Sequence, residues 1–363
     1  MKIDVIRPRD LGPSERVAWR AMRRAHPHLA SPWLAPEFTI EVGEVHDGAR
    51  VAVISEGNEV IGFLPFESTG FRTARPIAAW ITLAQGLVHA PGAEVDRRDL
   101  LKGCGLDVFE FEYLVADQPW FASGATKQAM VLDLTGGYDA YRAFLKETSP
   151  KSFKTLRYKE RKLERDLGPI TYEYDVRDSR QFALLMKWKS DQFQRIGRTD
   201  RTAVPWVAEL IDRLHLLRGD DFHAPLSMLY ADGRPVAGHF GLISENVMAG
   251  WFPAYDPELG GYSPGLVHHL HLAEAAARRG LRHIDTGTAG DYKQTICNGT
   301  FPLSEGVARR PSPAAGLHWL RHTPVRRARR LVLDSPRLYG IADRVLKTRA
   351  RLRNGRGEKG GDR

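Results

Sequence analysis

The side chains able to do chemistry crowd between residues 239 and 293. His239 stands between two glycines in GHFG. An imidazole titrates near neutrality and can take a proton from an attacking amine or hydroxyl. The same residue also fits a half-buried structural histidine, and its spacing leaves both readings open. Asp285 lies near the C-terminal end of an expected strand and is followed by Thr286, Gly287 and Thr288. Strand ends are common ligand positions in α/β sheets, so Asp285 could orient a base, bind a substrate hydroxyl or cap a turn. In the next segment, Tyr292 could protonate a leaving thiolate and Lys293 could bind a phosphate or carboxylate. A solvated polar loop is the competing account. Gly260, Gly261, Tyr262, Ser263 and Gly265 precede a helical pattern, and a helix start exposes N–H groups and partial positive charge suited to a pyrophosphate. The alternative is a turn and a serine cap. Trp251, Tyr255 and Arg157 are expected to contact substrate. His268, His269 and His271 lack Cys or acidic partners at metal-ligand spacing, so no metal is expected.

These residues need elements to hold them. Lys2–Ile6 reads as a strand, and residues 12–25 as a helix opened by Ser14. Strands at 51–55 and 60–67 flank a Gly57-Asn58 turn. Further strands are expected at 109–114 and 129–134, with a short helix at 138–146. Thr148 or Ser149, Pro150 and Gly168-Pro169 bound a helix. On it Lys154, Arg157, Arg161 and Arg165 form a cationic stripe, and Phe153, Leu156, Leu163 and Leu167 an apolar face. A strand at 170–176 is followed by helices at 179–195 and 204–218. A meander of strands at 226–231, 236–243 and 247–255, turning at Asp232-Gly233, feeds a helix at 263–279 capped by Ser263 and then a strand at 281–286. That order is a mixed α/β unit.

The first half echoes this unit. EGNEVIGFLPF from Glu56 aligns with DGRPVAGHFGL from Asp232, and GLDVFEF from Gly105 with GLRHIDT from Gly280. Two anchors at offsets near 175 point to a duplicated lobe. Phe63 occupies the place of His239, and a short segment at 97–102 that of the long helix. The first lobe is therefore expected to be structural or to hold substrate, and the second to be catalytic.

The 363 residues, 42% hydrophobic, suit two domains of ordinary size: a degenerate lobe at 1–147, a catalytic lobe at 148–310, and a basic helical or flexible tail at 311–363. Residues 321–363 carry fourteen Lys/Arg and four Asp/Glu, so they hold the whole net charge of +9 while the body is nearly neutral. Such a tail suits an anionic surface. Its RRARR and RLRNGR runs have few aromatics between them, which gives base stacking no support. No secretory leader or membrane span is read, and two distant cysteines make neither a disulfide framework nor a zinc site. A cytoplasmic setting is expected, with contact of the tail to the inner face of the membrane.

Residues 149–301 resemble the CelD-like acetyltransferases of the GNAT superfamily, relatives of the FemAB peptidyl transferases. The resemblance lies in SFKTLRYKERKLERDLG, DGRPVAGHFGL, AYDPELGGYSPG and GLRHIDTGTAGDYKQ. It implies tandem GNAT lobes, each a mixed, mostly antiparallel sheet flanked by helices. It implies an acetyl-CoA or other acyl-CoA co-substrate and acyl transfer to an amine or hydroxyl of a small-molecule, glycan or peptide acceptor, in polysaccharide or envelope biosynthesis. It also places His239, Asp285, Tyr292 and Lys293 at family-typical positions. The GGYSPG loop departs from the Gln/Arg-x-x-Gly-x-Gly/Ala phosphate loop of the superfamily. FemAB-type relatives use aminoacyl-tRNA, which the cationic stripe would also suit; nucleic acid is otherwise not expected. A non-catalytic scaffold binding anionic surfaces through its tail is the third reading.

Overall fold

The computed structural model describes residues 1–320 apart from 122, 289, 291 and 292. The basic runs beyond 320 and Tyr292 therefore lie outside the described residues. The first half holds β1 (Lys2–Ile6), α1 (Pro13–Ala25), α2 (Pro36–Val45), β2 (Ala49–Glu56), β3 (Glu59–Gly70), β4 (Thr73–Pro76), β5 (Val88–His89), α3 (Arg97–Gly103), β6 (Val108–Leu114) and β7 (Ser123–Asp133). The second holds α4 (Gly137–Thr148), α5 (Pro150–Leu167), β8 (Ile170–Glu173), α6 (Ser179–Arg195), α7 (Pro205–Leu216), β9 (Phe222–His223), β10 (Leu226–Ala231), β11 (Arg234–Ser244), β12 (Val247–Tyr255), α8 (Pro264–Arg278), β13 (His283–Thr288), α9 (Lys293–Ile296) and β14 (Gly299–Arg309).

All the strands join one mixed sheet, ordered β1-β2-β3-β4-β6-β14-β7-β13-β12-β11-β10-β8, with β5 on β3 and β9 on β11. The order reads alike from both ends. Each half is an antiparallel run followed by a parallel pair across a helix: β4 with β6 around α3, and β12 with β13 around α8. The sequence echo falls on this symmetry. Gly57 and Gly233 turn the equivalent hairpins at φ 59° and 73°, and Gly105 and Gly280 leave the equivalent helices at φ 69° and 73°. These are left-handed positions where a Cβ would be strained.

The two faces of the sheet carry separate cores. α6 and α7 pack with α1 and α2 on one face, through Phe182, Leu185, Leu210, Trp19 and Phe38 against Met228, Phe240 and Phe252. α4, α5 and α8 cover the other, through Tyr141, Leu156, Leu163 and Leu270 against Leu229, Ala237 and Met248. Along β10, Met228 and Tyr230 join the first core while Leu229 and Ala231 join the second, as a pleated strand requires. On α5, Lys154, Arg157, Arg161 and Arg165 are exposed, while Leu156 and Leu163 are buried. Cys104 and Cys297 are buried thiols. No helix among the described residues is long and apolar enough to cross a membrane.

Two sequence expectations, both helix caps, need correction. α1 starts at Pro13 on an extended Gly12 rather than on a Ser14 cap. Ser263 precedes α8 in the left-handed region at φ 52° and its side chain makes no cap bond. A division at residue 147 does not separate the sheets, because the halves exchange their inner strands. β7 pairs with β13, and β14 pairs with both β6 and β7. A fragment of residues 148–320 would leave β14 without both partners and expose the edge of β13. We expect it to be insoluble, or to melt without a cooperative transition, where the whole chain melts cooperatively. Circular dichroism melts of the two proteins check this.

Candidate active site

β12 and β13 run parallel but pair over only three positions, Val247 with His283, Met248 with Ile284 and Ala249 with Asp285. β12 continues to Tyr255 and β13 to Thr288 without further pairing to each other. The strands therefore diverge toward their C-terminal ends. Two irregularities accompany the divergence. The β11–β12 register slips between Phe240 and Gly241, so that Phe240 faces Phe252 while Gly241 faces Gly250, and Trp251 is the extra residue. The β13–β7 register breaks between Asp285 and Thr288. Such bulges bend strands and re-aim side chains.

A cavity of about 190 Å³ fills the gap, lined by Leu83, Lys189, His239, Gly250, Trp251, Pro253, His269, Ile284, Thr286 and Lys293. A larger hollow of about 670 Å³ sits in the first half beside His89 and Trp120, away from these groups. Of the sequence-derived candidates, His239, Trp251 and Lys293 thus share the gap. Glycine at 250 keeps it open, since a Cβ there would lie 3.0 Å from the Asp285 carbonyl and 3.1 Å from His239 Nε2. His239 and α8 lie on one face of the sheet, its ring 6.2 Å from that of His268 and 6.0 Å from that of His269. Lys189 comes from α6 on the other. The first half contributes Leu83 and props Trp251 with the edge of Trp33, centroids 5.1 Å apart.

The electrostatics follow from burial. His239 is 2% exposed, and its Nδ1 has no hydrogen-bond partner among the described residues. Burial, then His269 and Lys189, push its pKa well below the ordinary histidine value, so it is neutral at pH 7. Burial, reinforced by Lys293, lowers His269 to about 4. Lys189 falls to about 8 through burial and the charges of Lys293 and Arg198. It donates to Gln192 Oε1 at 3.0 Å and to the Pro253 carbonyl at 3.1 Å. Burial also lowers Lys293, which donates to the carbonyls of Thr286 and, at 2.7 Å, Thr288.

Asp285 does not line the cavity. Its Oδ1 accepts the Gly287 amide at 2.7 Å, shaping a bend where Gly287 has φ 77°. Its Oδ2 is buried without a partner among the described residues. Burial raises its pKa to about 6, against the pull of the Gly287 amide and Lys293. A carboxyl that binds its proton more tightly when folded stabilises below its unfolded pKa, and loses that contribution as pH rises through about 6. The penalty at neutral pH is roughly 3 kcal/mol at about 1.4 kcal/mol per unit. Asp285→Asn should therefore gain about 1–3 kcal/mol at pH 8 and almost nothing at pH 4. Urea unfolding at the two pH values is the measurement. A variant equal to or weaker than wild type at pH 8 would refute the assignment.

The glycine loop lies at the far end of the diverging strand. Tyr255 ends β12 and packs against it, 3.3 Å from a Cβ built on Gly265 and 3.9 Å from one on Gly260. From Trp251 to Tyr255 is about 13 Å at a strand's rise. Lys159 donates to the Gly261 carbonyl, the Lys162 ammonium sits 5.1 Å from the Tyr262 ring, and the Tyr262 hydroxyl reaches Asp166 at 3.2 Å. In the first turn of α8, Pro264 has no N–H, and the amides of Leu266 and Val267 return to the Ser263 carbonyl at 3.0 and 3.2 Å. An anion here would rely on the Gly265 amide and the nearby lysines rather than on a ring of amides. Arg157 lies outside the gap, paired with Glu160, which also meets His271 at 3.0 Å.

Residues 150–294 match the family model of the acetyltransferase (GNAT) domain. The matched GNAT segment contains both diverging strands, α8, Lys189 and Lys293. Among solved structures, FemX is 13% identical and superposes with a TM-score of 0.57 over 86% of this chain and 99% of its own. A conserved protein of unknown function from Bacteroides thetaiotaomicron VPI-5482, also 13% identical, gives a TM-score of 0.51 over 82% and 98%. At that identity the likeness concerns the fold. No curated protein matches the sequence.

Proposed function

We propose that the chain is an acyltransferase that carries a thioester donor between β12 and β13 and passes its acyl group to an amine or hydroxyl. The divergence of these strands over the cavity of His239, Lys189 and Lys293 carries the reading. The β12 edge from Trp251 to Tyr255 offers peptide groups to an extended carrier arm, as a sheet edge does to an added strand, except at Pro253, which has no N–H and whose carbonyl accepts from Lys189. It leads from the cavity to the glycine loop, where Gly265, Lys159 and Lys162 would meet the phosphates of acetyl-CoA or a longer acyl-CoA.

His239 takes the proton of the attacking amine or hydroxyl as the acyl carbon–nitrogen or carbon–oxygen bond forms and the carbon–sulfur bond breaks. A strongly depressed pKa makes it a weak base alone. The imidazolium forms together with a negative charge on the departing sulfur, which offsets that cost. Lys293 supplies fixed positive charge to the reacting carbonyl. Asp285 holds the Gly287 bend that aims Lys293, and Tyr292 is the proposed proton donor to the thiolate. A thiol-release assay with acetyl-CoA and longer acyl-CoAs, against amine, glycan and peptide acceptors, tests the reading. Acceptor-dependent release supports it; the absence of release with every donor would end it.

One observation favours a second donor. The exposed cations of α5 lie beside the glycine loop, a larger cationic face than one coenzyme needs. An aminoacyl-tRNA would use all of it, with a peptide or lipid acceptor in the same gap. Activity abolished by RNase and indifferent to acyl-CoA would select this donor. The roles in polysaccharide or envelope synthesis, the cytoplasmic setting and the tail's contact with anionic lipid belong to the same proposal. Liposome flotation with neutral and anionic lipid tests the last: each basic residue near such a surface contributes about 1 kcal/mol, so equal flotation would count against it.

A further inference from the structure

The lining of the gap has a charge imbalance that acyl transfer alone does not require. Two lysine side chains, Lys189 from α6 and Lys293 from α9, border one cavity of about 190 Å³. No carboxylate borders it among the described residues, and Arg198 is near enough to lower both lysines further. Among the described residues Asp285 is the carboxylate whose charge acts on Lys293, and it is set off the lining. Each ammonium has three donors. Lys189 uses one on Gln192 and one on Pro253, and Lys293 one on Thr286 and one on Thr288. Among the described residues a donor remains on each.

Two cations kept together in a partly apolar cavity cost free energy that a bound anion returns. The remaining walls narrow the choice. Leu83, Trp251, Pro253 and Ile284 are apolar, and no arginine lines the space among the described residues. Lysine ammoniums bind phosphate and carboxylate alike as point charges, and it is the apolar walls beside them that suit a carboxylate at the end of a short apolar group. The volume admits only a few heavy atoms beside the reacting carbonyl.

We infer that Lys189 and Lys293 form a receptor for a carboxylate on one of the two molecules that meet in this gap. The carboxylate belongs either to the acyl group of the donor, as in a dicarboxylic acyl thioester, or to the acceptor, as in an amino acid attacking through its amine. The inference deepens the acyl-transfer reading and rests on it for the pairing of the two molecules, but not for binding of the anion. Lys189 thereby becomes a specificity-determining residue.

Calorimetry on the whole chain separates the sources. In the donor arm, succinyl-CoA and malonyl-CoA are compared with acetyl-CoA. In the acceptor arm, the common amino acids are compared with their amides. The expected result is that, in one arm, a carboxylate binds at least ten-fold more tightly than its neutral counterpart. Lys189→Met, and separately Lys189→Gln, should remove most of that preference while the protein keeps its circular dichroism spectrum. Equal binding of charged and neutral partners, no binding in either arm, a preference that survives both Lys189 variants, or tighter binding of inorganic phosphate than of any carboxylate would each overturn the inference. Because the wild-type comparison stands alone, a variant that fails to fold does not shield it. Thiol release from acetyl-CoA with no charge preference would leave acyl transfer standing and remove the receptor.

Discussion

His239→Ala should lower turnover by about 10²- to 10⁴-fold, the usual contribution of a positioned general base. The effect should fall on the chemical step, because His239 lines the inner end of the gap and the carrier's phosphates would sit about 13 Å away. Donor binding, read by thermal shift with coenzyme A, should change little. His239→Gln is the informative companion, as it fills much of the volume and keeps a polar tip without an imidazole's basicity. Both variants should be deeply impaired if the proton is what matters. Full turnover in either would remove His239 from the chemistry and leave it a buried histidine between Gly238 and Phe240. Acid should also act through this cluster. His239, His268 and His269 are all held below the ordinary histidine value by burial first. Groups with lowered folded pKa bind more protons when unfolded, so their share of stability is lost as pH falls below about 6.5. Among the described residues Asp285, raised by burial, opposes this.

Lys293→Met should cost about 10²- to 10³-fold in turnover, the scale of losing one positioned donor to a developing negative charge. It should also cost stability, since its ammonium satisfies the Thr286 and Thr288 carbonyls on either side of the Gly287 bend. Unmaking such hydrogen bonds costs about 1–3 kcal/mol. The two effects separate if turnover is measured well below the variant's melting temperature. A loss that vanishes there would make Lys293 a structural clamp only. Lys293→Arg keeps the charge but not the fit, and should recover stability more than turnover.

Much of this architecture could be read from the chain. α6 and β12 were legible to the residue, because Ser179 opens one after Asp178, whose side chain caps it, and a β-turn at Glu245 precedes the other. The repeat was legible because the turn glycines at 57 and 233, and at 105 and 280, need left-handed backbone whatever surrounds them. The exchange of β7 and β14 was not legible. TFPLSEGVARR carries a proline and a glycine and alternates poorly, and it becomes a strand by pairing on both sides with β6 and β7. Local pattern holds no record of such distant partners.

His239, Trp251 and Lys293 line one cavity. Lys189 was missed. In WKSDQFQ it looks like one more solvated lysine on a polar helix face, and only the packing of α6 on β12 turns it into the gap. Its sole signal was the flanking Trp188 and Phe193, which bury the helix around it. Asp285 lies inside β13, three residues before its end at Thr288, and its side chain serves the Gly287 amide and leaves His239 to other neighbours.

The decisive measurement is the structure of the chain bound to coenzyme A. The account predicts the sulfur between β12 and β13 near His239 and Lys293, the arm along residues 251–255, and the diphosphate against Gly265. Coenzyme A bound elsewhere, with side chains closing the space over Gly250, would contradict it.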